Sequence, residues 1–138
     1  MIVILDFGSQ YNQLIARKVR AQKVPAQIVP FNTPVDEIRA LNPEGLVLSG
    51  GPSSVHEEGA PQLDPAVADL GLPILGICYG MQALAHSGKG TVQPTDRREY
   101  GLAKLQKQTD DPLMEGLETG EQVWMSHRDS VVALPEGW

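Results

Sequence analysis

Four short apolar runs dominate the first half of the chain, and each ends on small or turn-forming residues. Ile2 to Leu5 stops at Asp6 and Gly8, Ala26 to Val29 at Pro30, Gly45 to Ser49 at Gly50 and Gly51, and the segment "LPILGIC" at Cys78. Runs this short, without polar alternation, read as strands buried on both faces of a parallel sheet. Strands of that kind need covering helices, and the intervening segments supply them.

Tyr11, Leu14, Ile15 and Val19 recur at three- and four-residue spacing, with Arg17, Lys18 and Arg20 on the other face and toward the C-terminal end. They predict a helix packed through that apolar stripe. "NTPVDEIRAL" predicts a second helix, with Thr33 as N-cap, Pro34 at the first helical position, Asp36 at the capping-box position and an end near Leu41. A further helical stretch is expected around Pro65 to Leu70, and another from Tyr79 to about His86. The expected fold class is therefore α/β: one domain with a doubly wound, mostly parallel sheet and helices on both faces. In such sheets ligands bind at the carboxyl ends of the strands, so the turns after Asp6, Ser49 and Ile77 are the ones to inspect. From Thr91 onward "YGLAKLQ", "EQVWMSH" and "SVVALP" read as short strands, a short antiparallel extension of the sheet.

Composition narrows the function. With 138 residues and 41% apolar side chains the chain can build one real core. Seventeen acidic against eleven basic residues give a net charge of −6, and no basic cluster interleaved with aromatics is present to grip phosphates. Direct nucleic-acid binding is not expected. Neither a membrane-length apolar stretch nor a signal-peptide pattern occurs, so a cytoplasmic protein away from membranes is expected. The single cysteine excludes an internal disulfide, and no metal site is expected.

That cysteine, Cys78, stands between Gly76 and Gly80 at a strand-to-helix junction, the thiol form of the G-x-S-x-G nucleophile elbow. Taken alone, a cysteine ending an apolar strand is usually packing. A packing cysteine, however, has no need of two flanking residues without side chains, and the helix that follows aims its N-terminal amides at the sulfur. An acyl-enzyme also needs oxyanion donors: the amide of Tyr79 is one, and Gly50 or Gly51 in "SGGP" is placed to supply the other. "SGGPSS" alternatively suggests the S-G-G-x-D-S pyrophosphate loop of ATP pyrophosphatases, but Ser53 stands where that loop has aspartate.

Taken together, "LSGGP" and "GICYGMQ" resemble the class I glutamine amidotransferases, whose glutaminase domains are flavodoxin-like. With "ILDFGSQY", "REYG" (Arg98 to Gly101) and "VWMSHRD" (Val123 to Asp129), the resemblance narrows to glutaminase domains of the GMP synthetase family and spans nearly the whole chain. It implies that Cys78 attacks the side-chain amide of L-glutamine, releases ammonia and leaves a thioester for water to hydrolyse. It also implies oxyanion stabilisation by the amides of Tyr79 and one of Gly50 or Gly51, and glutamine binding by Gln82, Ser126, His127 and Asp129. Arg128 replaces a glycine of the family's S-H-G-D segment. The partner implied is an ATP pyrophosphatase domain or subunit that uses ATP and Mg2+ to aminate XMP, with no cofactor in the glutaminase domain itself.

A thiol nucleophile of this class works with a histidine oriented by a carboxylate. The family carries them as H-P-E, which does not occur here, and His56, His86 and His127 match no such motif. The expectation is that residues 1–138 are an incomplete glutamine amidotransferase domain, with the histidine and glutamate beyond Trp138. Two other functions stay open. One is a glutaminase for another acceptor, as in anthranilate or carbamoyl-phosphate synthesis; the other is a non-catalytic glutamine-binding or regulatory module.

Overall fold

The structure, a computed structural model, describes residues 1–136 and, within them, every side chain except those of residues 95–100 and 128. Strands β1 (Ile2–Asp6), β2 (Ala26–Pro30), β3 (Gly45–Leu48) and β4 (Ile74–Gly76) form a parallel sheet in the order β2-β1-β3-β4. Strand β1 is central, and its continuous apolar sequence follows from burial on both sides. Val3 and Leu5 join Leu46, Leu48, Ile38 and Tyr79 on one face, while Ile4 meets Val47 and Ala16 on the other. Val3, Ile4 and Leu5 have no solvent exposure, each stabilising the fold by about 1.5–3 kcal/mol.

Helices α1 (Asn12–Ala21), α2 (Val35–Ala40) and α3 (Tyr79–Ser87) cover the sheet. The chain runs from β1 outward to β2 and then back across β1 to β3. Right-handed crossovers therefore put α1 and α2 on opposite faces and make the β1/β3 boundary a topological switch point. The expected doubly wound α/β class is the observed one.

Several local expectations need correction. In α1 the residues that pack are Asn12 and Ala16, with Ile15 and Val19 half-buried, whereas Tyr11 is 58% and Leu14 46% exposed. Tyr11 precedes the first helical residue, and the small Ala16 lets the helix lie closer to the strands than a Leu14 stripe could. Thr33 is not an N-cap. Its hydroxyl donates to the Pro30 carbonyl at 2.7 Å, closing the turn after β2, and α2 begins two residues later behind Pro34. The Pro65–Leu70 stretch is a 3₁₀ helix, capped by the Asp64 carboxylate accepting from the Ala66 N–H at 2.9 Å and ended by Gly71 at φ +68°.

The antiparallel part exists as a two-stranded sheet of its own, β5 (Thr91–Lys104) and β6 (Gln122–Ala133), not as strands added to the parallel sheet. "EQVWMSH" and the apolar part of "SVVALP" belong to the single strand β6. The pair is fastened to α3: the Gln82 side-chain amide donates to the Asp129 carbonyl at 2.9 Å, the Gly90 N–H donates to the Ala85 carbonyl at 2.7 Å, and Val92 enters the main core. Those contacts bring the β5–β6 pair over the carboxyl ends of β3 and β4.

Candidate active site

Strand β4 ends at Gly76, and the Ile77 N–H donates to the Leu48 carbonyl at 2.9 Å. The next residue, Cys78, has φ +50° and ψ −113°, and α3 starts at Tyr79. A side chain at such a φ is strained, a condition that persists only where the surroundings hold it. The surroundings are the two flanking glycines. A Cβ added at Gly76 would stand 2.5 Å from the Met81 Cα, and one at Gly80 would stand 2.3 Å from the Leu48 carbonyl oxygen. Helix α3 thus lies so close to β3 and β4 that only hydrogen fits at either position. Neither glycine has positive φ; the unusual backbone conformation of the elbow falls on the cysteine itself.

Two neighbouring strand ends converge on the thiol. After β3, Ser49 is completely buried, and a Cβ at Gly50 would lie 3.5 Å from the Cys78 Cβ. A Cβ at Gly51 would stand 2.4 Å from the Phe7 carbonyl oxygen, so the β3 loop rests against the β1 loop. In that β1 loop Gly8, at φ +97°, donates its N–H to the Asp6 carboxylate at 2.7 Å.

Strand β6 closes the other side. The Cys78 thiol donates to the Ser126 carbonyl at 3.6 Å, and Gln82 and Asp129 are both buried, 3% and 5% exposed. A cavity of about 200 Å³ is left, lined by Gly51, Pro52, Ser53, Cys78, Gln82, Ser126, His127 and Asp129. Six residues singled out from sequence therefore share one cavity. Gly50 borders the wider trough beside it, which also includes Met81, Trp124 and Leu134. The Tyr79 ring turns away into the core against Phe7, its hydroxyl donating to the Pro61 carbonyl, and leaves only its main chain next to the thiol. Burial, with the Glu57 charge added, pushes the Tyr79 phenol above its ordinary pKa of 10.0.

His56 and His86 lie elsewhere: His56 Nε2 is 3.0 Å from the Val92 carbonyl oxygen, the two rings meet edge-on at 6.2 Å, and neither lines the cavity. Of the histidines only His127 does. The Arg128 side chain, with the question of whether it meets a carboxylate or solvent, lies outside the described residues, as do the side chains of Arg98, Glu99 and Tyr100. Gly51, Pro52 and Ser53 border the thiol cavity, and no cluster of three metal-holding side chains occurs among the described residues. No helix among them is long and apolar enough to cross a membrane. Ser49 carries no signal in the sequence, because its partners become visible only once β1 and β3 are paired.

A doubly wound sheet with a cysteine elbow beside its switch point is the architecture of a class I glutamine amidotransferase. The family model for "Glutamine amidotransferase class-I" matches residues 3–138, and the chain belongs to that family. Within it, the chain is 51% identical over 138 residues to the GMP synthase [glutamine-hydrolyzing] of Gloeobacter violaceus, covering 100% of this chain and 25% of that protein. It is 53% identical over 137 residues to the enzyme of the same name from Thermomicrobium roseum, covering 99% and 26%. The chain thus spans about a quarter of the length of these relatives. Among solved structures, a candidate GMP synthase subunit from Thermoplasma acidophilum superposes with a TM-score of 0.81 at 31% identity, covering 98% of this chain and 68% of that one. A glutamine amidotransferase from Thermotoga maritima shares the fold, with a TM-score of 0.74 at 19% identity, covering 98% of this chain and 63% of that one.

Proposed function

We propose that this chain is the glutamine-hydrolysing part of a GMP synthase, supplying ammonia from L-glutamine to a synthetase domain or subunit that aminates XMP in the cytoplasm. The observation that carries the proposal is the strained Cys78 elbow opening onto a small polar cavity built from the ends of β3 and β4, the start of α3, and β6. In this reading the Cys78 sulfur bonds to the amide carbon of glutamine while the carbonyl π pair moves onto oxygen. The oxyanion takes hydrogen bonds from the N–H of Tyr79 and from one of Gly50 or Gly51. Collapse breaks the C–N bond and releases ammonia, and water then cleaves the thioester to glutamate and the free thiol. Gln82, Ser126, His127 and Asp129 hold the amino-acid end of the substrate.

The base that moves these protons is proposed to be a histidine outside residues 1–138, because His56 and His86 do not reach the cavity and His127 is committed to the substrate end. ATP and Mg2+ belong to the synthetase partner, and no step at Cys78 involves them. The test is selective labelling: a glutamine-shaped electrophile modifies Cys78, and L-glutamine protects it while L-asparagine does not. Turnover of glutamine by residues 1–138 alone is expected to be negligible. Glutamate release that disappears in Cys78→Ala would overturn the assignment of the base, and labelling indifferent to L-glutamine would overturn the substrate.

A further inference from the structure

Ser49 ends β3 with no solvent exposure. A hydroxyl at that depth must be satisfied, and this one is satisfied twice. It accepts the Phe7 N–H at 2.9 Å and donates its own proton to the Gly50 carbonyl oxygen at 3.0 Å. The Gly50 carbonyl and the Gly51 N–H belong to one planar trans peptide, so holding the oxygen on one side directs the N–H to the other. The other side is the cavity: Gly51 lines it together with Cys78, and among the described residues no acceptor takes the Gly51 N–H.

We propose that Ser49 is a positioning residue for the oxyanion hole, locking the Gly50–Gly51 peptide so that the N–H of Gly51, rather than that of Gly50, joins the Tyr79 N–H as the donor pair. A Gly-Gly loop needs such a lock because neither residue has a Cβ to restrict rotation of the peptide between them. Rotated by half a turn, the same peptide would present its carbonyl oxygen to the developing negative charge. The lock is anchored to the sheet, since the Phe7 N–H that Ser49 accepts comes from the end of β1, and the Phe7 carbonyl backs Gly51. Selectivity between the two glycines is thus decided by a buried side chain that never touches substrate.

This inference rests on the glutamine-hydrolase reading, and the experiment separates the two. A chloromethyl ketone with the L-glutamine skeleton reacts through an oxyanion. The Cys78 sulfur adds to the ketone carbon and the π pair moves to oxygen. The sulfur then bonds to the adjacent carbon as the C–Cl bond breaks and chloride leaves, and the oxyanion's pair re-forms the C=O bond as the first S–C bond breaks, leaving a thioether ketone. Iodoacetamide alkylates by direct displacement and develops no oxyanion. In Ser49→Ala the ketone labelling rate is expected to fall about tenfold, the loss of one ordinary hydrogen bond at the transition state, while the iodoacetamide rate stays within about twofold. An unchanged ratio of the two rates overturns the role of Ser49.

A second measurement needs no variant. In the ¹⁵N-labelled native chain, ketone labelling is expected to move the Gly51 amide proton downfield and leave that of Gly50 in place; a shift at Gly50 alone overturns the proposal. Protection of the native thiol by L-glutamine is a separate arm. Its absence counts against the substrate and leaves the ratio of rates to judge Ser49.

Discussion

Replacing Gly80 by alanine sets two known effects against each other. Alanine in place of a helical glycine stabilises by about 1 kcal/mol. At this position the added methyl would meet the Leu48 carbonyl oxygen at 2.3 Å, the Leu48 carbonyl carbon at 2.6 Å and the Ser49 carbonyl oxygen at 2.6 Å. All three are backbone atoms, so no side-chain rotation relieves the contact. Restoring ordinary van der Waals distance requires the start of α3 to move away from β3 by about 1 Å, and overpacking of this kind costs about 1–3 kcal/mol or somewhat more. The clash wins, with a net destabilisation of about 2 kcal/mol and a fall in Tm of roughly 6–10 °C. The same displacement carries Cys78 and the Tyr79 N–H out of register with the β3 loop, and a misplacement of about 1 Å lowers reactivity by about 100-fold. Thermal unfolding by circular dichroism reads the first quantity and ketone labelling of the thiol the second. Gly71→Ala is the control, because Gly71 has φ +68° with no atom near its missing Cβ; it should lose about 1–2 kcal/mol and leave thiol labelling intact. A Gly80→Ala chain that melts at or above the native temperature would refute the close-approach argument.

Three further outcomes follow from the geometry. Cys78→Gly removes the thiol and also the strain of a side chain at φ +50°; after the entropy cost of glycine the chain is expected to gain up to about 1 kcal/mol in urea unfolding, and a loss would show that the elbow is not strained. Gln82→Met deletes the side-chain bond to the Asp129 carbonyl and is expected to cost about 1–3 kcal/mol. Its mark is faster hydrogen exchange in β6 than in β1, and equal acceleration in both strands would contradict it. Tyr79 has a folded-state pKa raised by burial, so its contribution to stability is complete below the usual tyrosine value and is lost as pH rises through the higher folded value. Phenolate absorbance should show a late titration coincident with alkaline unfolding, and Tyr79→Phe should remove it.

The elements legible in the sequence are those whose causes are local. Unbroken apolar runs at Ile2 to Leu5 and Gly45 to Leu48 read as strands covered on both faces, and Gly76-Ile77-Cys78-Tyr79-Gly80 carries its own turn, so the sheet class and the cysteine elbow are readable without knowledge of any contact. Thr33 misleads as a cap because a threonine after a strand has two competing local partners, the following helix and the preceding carbonyl of Pro30. The packing face of α1 misleads because adjacent stripes on a short helix differ little in apolar content, and only the close sheet surface selects Ala16 over Leu14.

Sequence by itself thus determined the α/β architecture and the place of the single cysteine at a strand-to-helix elbow, since each rests on residue spacing within a few positions, and its short motifs carried the resemblance to the family to which the chain belongs. Tertiary structure alone decided that β5 and β6 stand as their own sheet, that Ser126 and Asp129 meet Cys78 and Gln82, and that Ser49 grips Phe7 and Gly50. The physical reason is separation along the chain. The contacts joining Ser49 to Phe7, Gln82 to Asp129 and Cys78 to Ser126 span 42, 47 and 48 residues, and no local pattern encodes a partner that far away.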